Sequence, residues 1–165
     1  MTTTSPRMRQ LVDWRAAAWS GLIAGAISLL VNFFITPAII GGNAWVVIRL
    51  FASIVLGDRV LAPPATFDLS ALLVALITHF VLSVLYAFLI AYIVHRGGLL
   101  TGVIGGALLG LALYSINFYT LTFFFPWFFA MRNGAFIVAH LLFGAIAGGI
   151  YEALEVEIFV PAEKA

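Results

Sequence analysis

Residues 69–94 of the chain read LSALLVALITHFVLSVLYAFLIAYIV. The stretch contains no Asp, Glu, Lys or Arg, and its central polar residues are His79 and Ser83. A helix of about 20 apolar residues crosses the roughly 30 Å hydrocarbon core of a bilayer, so this stretch is long enough to span one. The run is continuous and does not alternate, which favours a helix over a barrel strand.

Three further stretches have the same character, and none contains an acidic or basic residue. They are residues 16–36, 99–123 and 134–151. Because lipid offers no partner for an exposed backbone amide, each spanning segment is expected to be helical. The sequence therefore predicts an all-α membrane protein, a bundle of four transmembrane helices.

The composition agrees with a membrane location and excludes several other classes. Hydrophobic residues make up 64% of the chain and charged residues 9%, and the mean hydropathy is +1.14. These values do not fit the polar surface of a soluble domain. The formal charge of +1 gives no reason to expect a nucleic-acid partner, and the absence of cysteine excludes disulfides and thiolate ligands.

The division of the chain and its orientation follow from the spans and the basic residues. We expect an N-terminal tail (1–15), a transmembrane domain (16–155) and a C-terminal tail (156–165). The positive-inside rule favours cytoplasmic termini. That orientation places Arg7, Arg9, Arg15, Arg96 and Lys164 inside and Arg49, Arg59 and Arg132 outside.

The connection between the first two spans contains another apolar stretch, residues 45–57. It is too short to span and contains Arg49, so we expect an interfacial or re-entrant helix, capped by Asn43 and ended by Gly57. Asp68 and Asn133 are placed to cap the second and fourth spans. Trp45 and Trp127 are expected to anchor the protein at the membrane interface.

Small residues recur at spacings of three and four, which places them on single helix faces and allows close backbone approach. This pattern predicts a tight bundle, although the same faces also suit a homo-oligomer. The predicted helix-packing residues are Gly21, Gly25, Gly102, Gly106, Gly110, Gly144 and Gly148.

Intramembrane polar residues lie on the same faces and are the candidate functional residues. His79 is followed four residues later by Ser83, and His140 is followed in the same way by Gly144. Asn32 and Asn117 follow the glycines of the first and third spans. The two halves of the chain therefore resemble a duplicated two-helix repeat, which predicts a polar cluster of Asn32, His79, Asn117 and His140 in the bundle.

Three interpretations of this cluster stay open from the residues alone. The histidines can relay protons or line a solute path; they can hold haem b as paired axial ligands; or the polar side chains can join helices by hydrogen bonds. No carboxylate or cysteine completes a zinc site or a catalytic triad, so we expect no metal ion and no enzymatic activity. An accessory or scaffolding subunit with a membrane-protein partner is the alternative to transport.

Several short motifs resemble the YagU-like family of small bacterial inner-membrane proteins. They are GLIAG at 21–25, Thr78-His79 with Ser83, the glycine-rich residues 100–109, and Ala139-His140-Leu141. Residues 57–68, Asn117-Phe118-Tyr119 and 125–128 are also similar to short bacterial proteins labelled sodium:proline symporters. The resemblance implies a bacterial inner-membrane protein with a role linked to acid or stress tolerance.

Overall fold

The computed structural model describes residues 8–40 and 43–162. Within them, four helical stretches are long and apolar enough to span a membrane: Trp14–Ala38, Leu69–Val94, Gly98–Phe123 and Gly134–Leu154. The predicted four-helix membrane bundle is thereby confirmed. Its α-helices are α1 (Trp14–Phe34), α2 (Thr36–Ile40), α3 (Ala44–Leu56), α4 (Leu69–Val94), α5 (Gly98–Ser115) and α6 (Gly134–Leu154).

The capping residues predicted from the sequence are in place. Asn43 accepts a hydrogen bond from the Trp45 amide, and Asp68 accepts one from the Ala71 amide. Asn133 accepts from the amides of Ala135 and Phe136. Each side chain satisfies an amide that the first helical turn leaves unpaired, which is why the helices begin at these points. The Ser70 hydroxyl, which also donates to Asp68, is the main reason that the pKa of Asp68 is lowered.

The third span differs from the straight helix that the sequence predicts. Helix α5 ends at Ser115, and the chain continues through a π-helical turn, Ile116–Thr120, and a short 3-10 turn, Leu121–Phe123. Arg132 supplies the partner that the widened turn needs, because its Nε donates to the carbonyl of Phe118 and its Nη2 to the Thr122 hydroxyl. Its guanidinium also lies 4.4 Å from the ring centre of Tyr119, a cation–π contact that helps to hold it there.

Parts of both predicted tails form a small sheet that the sequence did not reveal. Strand β1 (Met8–Leu11) pairs antiparallel with β2 (Ile158–Pro161). Asp13 links the sheet to the bundle, because it caps α1 and its Oδ2 accepts from the Val156 amide. These amide hydrogen bonds, chiefly that of Ala16, lower the pKa of Asp13. Arg7 and Lys164, which were predicted to lie on the cytoplasmic side, are outside the described residues.

The sheet marks one end of the bundle, which we call the sheet end; α3 and residues 123–131, the aromatic segment, lie at the opposite or loop end. Four spans return the chain to the end at which it began, so β1 and β2 meet.

Arg49 organises the loop end from within α3. Its guanidinium donates to the carbonyls of Val60, Ala62 and Thr66 at 3.1, 3.1 and 3.2 Å, which holds the connection to α4 against α3.

Glycines allow α5 and α6 to touch along their backbones. A Cβ atom added at Gly106 would overlap the carbonyl of Gly144, and one added at Gly110 would overlap the carbonyl of His140. Gly102 faces Gly148 in the same way. In α1, Gly21 and Gly25 face α4. The predicted packing glycines therefore lie at contacts where there is no room for a side chain.

The outward face of α4 is apolar, whereas its inward face is made of small and polar residues. Leu73, Ile77, Val81 and Leu85 recur every fourth residue, and each is more than half exposed. The buried residues Ala75, His79, Ser83, Ala87 and Ala91 lie on the opposite side. A soluble helix has the reverse pattern. An exposed apolar face of this kind is suited to contact with lipid.

Candidate functional site

A cavity of about 180 Å³ lies in the half of the bundle nearer the loop end. All four residues of the predicted polar cluster line it together with the candidate residue Ser83, although the four belong to four different spans. Two further polar residues that were not predicted as part of the cluster, Ser28 and Tyr86, also face it. The polar lining is Ser28, Asn32, His79, Ser83, Tyr86, Asn117 and His140.

His79 of α4 contacts α1 at Gly25, a glycine that lets the two helices approach closely. Its Nε2 lies 2.8 Å from the carbonyl oxygen of Gly25. A carbonyl only accepts, so Nε2 carries the proton and Nδ1 keeps its lone pair. The structure gives Nδ1 no hydrogen-bond partner among the described residues, and Nδ1 is not among the fully buried unpaired side-chain atoms. The rings of Phe51 and Phe80 pack edge-on against the imidazole, which fixes its orientation.

His140 has the opposite arrangement, with both ring nitrogens occupied. Its Nδ1 lies 2.8 Å from the carbonyl of Phe136 and therefore carries the proton. Its Nε2 lies 3.2 Å from Nδ2 of Asn117, which donates. The Asn117 Oδ1 in turn accepts from the Tyr86 hydroxyl at 2.7 Å. The chain Tyr86–Asn117–His140 thus joins α4, the π-helical turn and α6, and it is complete when His140 is neutral.

Asn32 lines the cavity but uses its amide within its own segment. Its Nδ2 donates to the carbonyl of Ser28 at 2.9 Å, and its Oδ1 accepts from the Thr36 hydroxyl at 3.1 Å. Ser83 behaves similarly, because its hydroxyl donates to the backbone carbonyl of His79 at 2.8 Å. The polar residues therefore form separate groups around one space, and the two histidines are not hydrogen-bonded to each other.

The packing of the two predicted repeat units is equivalent, whereas their polar contacts differ. Gly25 faces Ser83, four residues after His79, and Gly106 faces Gly144, four residues after His140. His79 nevertheless bonds to the Gly25 carbonyl, while His140 bonds to Asn117. Of the two histidines, only His79 keeps a ring nitrogen free for a further partner.

The remaining walls are apolar and largely aromatic. In the described part of the chain, no Asp, Glu, Lys or Arg side chain lines the cavity. Walls of this kind with a few fixed polar groups are typical of sites for small neutral molecules. The largest apolar contributors are Phe51, Phe118, Phe125, Phe128, Phe136, Phe143 and Met131.

The geometry does not suit the haem that the paired histidines suggested. A volume of about 180 Å³ is below the roughly 300 Å³ at which pockets for drug-sized ligands begin, and a haem is larger than most such ligands. His140 would also have to give up its bond to Asn117 to become an axial ligand. Among the described residues, no group of three His, Cys, Asp or Glu side chains is close enough to hold a metal ion.

The two predicted interface tryptophans contact other parts of the loop end. The indole N–H of Trp127 donates to the Ser53 hydroxyl at 2.9 Å, which ties the aromatic segment to α3. Trp45 packs edge-on between Phe33 and Phe67. Both side chains are half-buried.

The cluster predicted from the sequence did not include Ser28 and Tyr86. Spacing could have indicated both, because Ser28 lies on the same helix face as Gly21 and Gly25, and Tyr86 follows His79 by two helical turns. A scan against models of protein families finds no match to the chain, and searches of curated proteins and of solved structures find none either.

Proposed function

We propose that this membrane protein is non-enzymatic and binds a small neutral solute in the cavity, with His79 as the group that recognises it. The observation that supports this most directly is that His79 lines the cavity and that its Nδ1 has no hydrogen-bond partner among the described residues. A hydrogen bond to such an acceptor is worth about 0.5–1.5 kcal/mol. The site therefore favours solutes with an O–H or N–H group.

The volume limits the size of the solute. A cavity of about 150 Å³ lined by apolar side chains holds benzene. The cavity of about 180 Å³ is therefore suited to a molecule of about one ring with one or two substituents. The surrounding phenylalanine rings suit an apolar or aromatic body, and the absence of a charged wall among the described residues disfavours an ion.

Proton handling receives less support than solute binding. To be protonated, His140 would need a second acceptor at Nε2, which requires the Asn117 amide to turn over and the Tyr86 hydroxyl to change from donor to acceptor. No carboxylate among the described residues lines the cavity to pass a proton onward. The Tyr86–Asn117–His140 chain is better suited to holding α4, the π-helical turn and α6 together around the bound molecule.

The proposal predicts that 4-fluorophenol binds to the protein in nanodiscs more tightly than 1,4-difluorobenzene does. The two probes have nearly the same shape, but only the phenol donates a hydrogen bond. One such bond is worth about 0.5–1.5 kcal/mol, so we expect a ratio of dissociation constants approaching tenfold. Binding is measured by ¹⁹F NMR, with empty nanodiscs as the reference for partitioning into lipid.

The variant His79→Leu should remove this preference, so that the two probes bind equally well. His95→Gln is the matched control, because His95 lies at the turn after α4, where its Nδ1 bonds to the Tyr92 carbonyl, away from the cavity. Circular dichroism checks that each variant keeps its helices. If wild-type protein binds neither probe, or if His79→Leu keeps the preference, the proposed role of His79 is wrong.

A further inference from the structure

The loop end of the bundle is covered above the cavity. Leu50 and Phe51 of α3 and Phe125 and Phe128 of the aromatic segment line the cavity from this side. The hydrogen bond from Trp127 to Ser53 joins the two covering segments. A solute arriving from water at this end would have to pass these segments.

A second, smaller cavity of about 30 Å³ lies between α1 and α6. It shares Ser28, Ala139 and Phe143 with the main cavity, so these side chains lie between the two spaces. Its outer rim includes Ile27 and Leu142, which are 37% and 49% exposed. Both rim residues lie on the apolar exterior of the bundle, within the membrane-spanning stretches of α1 and α6.

The partition between the two cavities is thin. Ala139 has a side chain of one carbon, and Ser28 is also small, so the ring of Phe143 is the main obstruction. Phe143 is 8% exposed and packs edge-on against Tyr86, with ring centres 6.4 Å apart. Rotation of one aromatic ring is a smaller change than separation of two hydrogen-bonded segments.

We propose that the ligand enters the cavity from within the bilayer, between α1 and α6 and past Phe143. This inference rests on the proposed binding role of the main cavity and specifies the class of solute. The ligand is a membrane-dissolved neutral molecule, with an apolar body about the size of a substituted benzene ring and one hydrogen-bond donor for His79. No Asp, Glu, Lys or Arg side chain of the described residues lines either cavity, so the route offers a charged solute no oppositely charged partner.

Exchange kinetics of 4-fluorophenol in nanodiscs test the route, because a block in a passage changes rates without changing equilibrium. Val31 lines the smaller cavity and not the main one. Val31→Phe should fill that cavity and slow both association and dissociation at least tenfold, with the dissociation constant within about twofold of wild type. Trp127→Phe, which removes the bond to Ser53 at the loop end, should leave both rates unchanged.

Phe143→Ala provides an independent test if Val31→Phe does not fold. Removing the ring should join the cavities and accelerate exchange severalfold. Faster exchange in Trp127→Phe, with unchanged exchange in Val31→Phe or in Phe143→Ala, would overturn the lateral route and assign access to the loop end. Failure of wild-type protein to bind 4-fluorophenol would instead contradict the binding role itself, so the two failures are distinguishable.

Discussion

Replacing Gly106 by alanine is expected to destabilise the bundle by about 2–3 kcal/mol, the usual cost of forcing an extra group into a tightly packed contact. The added Cβ would overlap the carbonyl of Gly144, a backbone atom that cannot rotate away. Helices α5 and α6 would have to separate along the seam that also contains Gly102, Gly110 and Gly148. The free energy of unfolding, measured by steric trapping in bicelles, reports the loss.

Gly105→Ala is the matched control for this prediction. It lies one residue away in the same helix, and the nearest atom to its added Cβ is Cγ1 of Val94 at 3.3 Å, on a side chain that can adjust. Alanine favours helix over glycine by up to about 1 kcal/mol. We therefore expect Gly105→Ala to be neutral or stabilising. Equal losses in the two variants would show that α5 and α6 do not meet through Gly106.

The second large effect is expected at Asn117, which joins Nε2 of His140 to the Tyr86 hydroxyl, two groups that have no other partner in the described residues. Asn117→Leu leaves Nε2 of His140 and the hydroxyl of Tyr86 unpaired in an apolar surrounding. Each unpaired buried group costs about 1–3 kcal/mol, whereas interhelical hydrogen bonds in membranes average about 0.6 kcal/mol. We expect a loss of about 2 kcal/mol in the free energy of unfolding.

Asn32→Leu provides the comparison, because it is the same substitution in a residue that lines the same cavity. Asn32 bonds only to Ser28 and Thr36, near it in the chain, and the Thr36 hydroxyl can turn to a helix carbonyl instead. The loss in the free energy of unfolding for Asn32→Leu should stay below about 1 kcal/mol. Adding Tyr86→Phe and His140→Leu to Asn117→Leu should restore part of the stability, since no polar group is then left unpaired. A larger loss in Asn32→Leu than in Asn117→Leu would contradict the network.

The spans and their ends were predictable because they depend on local sequence. Residues 69–94 form an uncharged run whose length matches α4, and Asp68 caps it as expected. Asn133 begins α6 in the same way. In a membrane, backbone amides must be paired within the helix, so the hydrophobic pattern alone determines these elements.

Features that depend on contacts between distant parts of the chain were not predictable. Strands β1 and β2 have only four residues each, and they form because four spans bring the two ends of the chain together. The π-helical turn depends on Arg132, which approaches from the connection to α6. Neither MRQL nor INFYT contains a pattern that indicates such a partner.

The candidate site shows the same division. Periodicity places His79 and His140 on inward faces, and the structure brings both to one cavity. The sequence could not predict that their hydrogen bonds differ, because the two histidines occupy equivalent places in the predicted repeat. The difference arises from the partner that each neighbouring helix presents: a backbone carbonyl at Gly25 and a side-chain amide at Asn117. These partners leave a free nitrogen on His79 alone.

The most direct measurement is ¹⁵N NMR of histidine-labelled protein in bilayers at neutral pH, in a His95→Gln background so that only His79 and His140 contribute. We predict neutral rings of opposite tautomer, protonated at Nε2 in His79 and at Nδ1 in His140. Addition of 4-fluorophenol should shift the Nδ1 signal of His79 and leave His140 almost unchanged. Two rings of the same tautomer, or a response confined to His140, would contradict the assignment of His79 as the ligand-binding group.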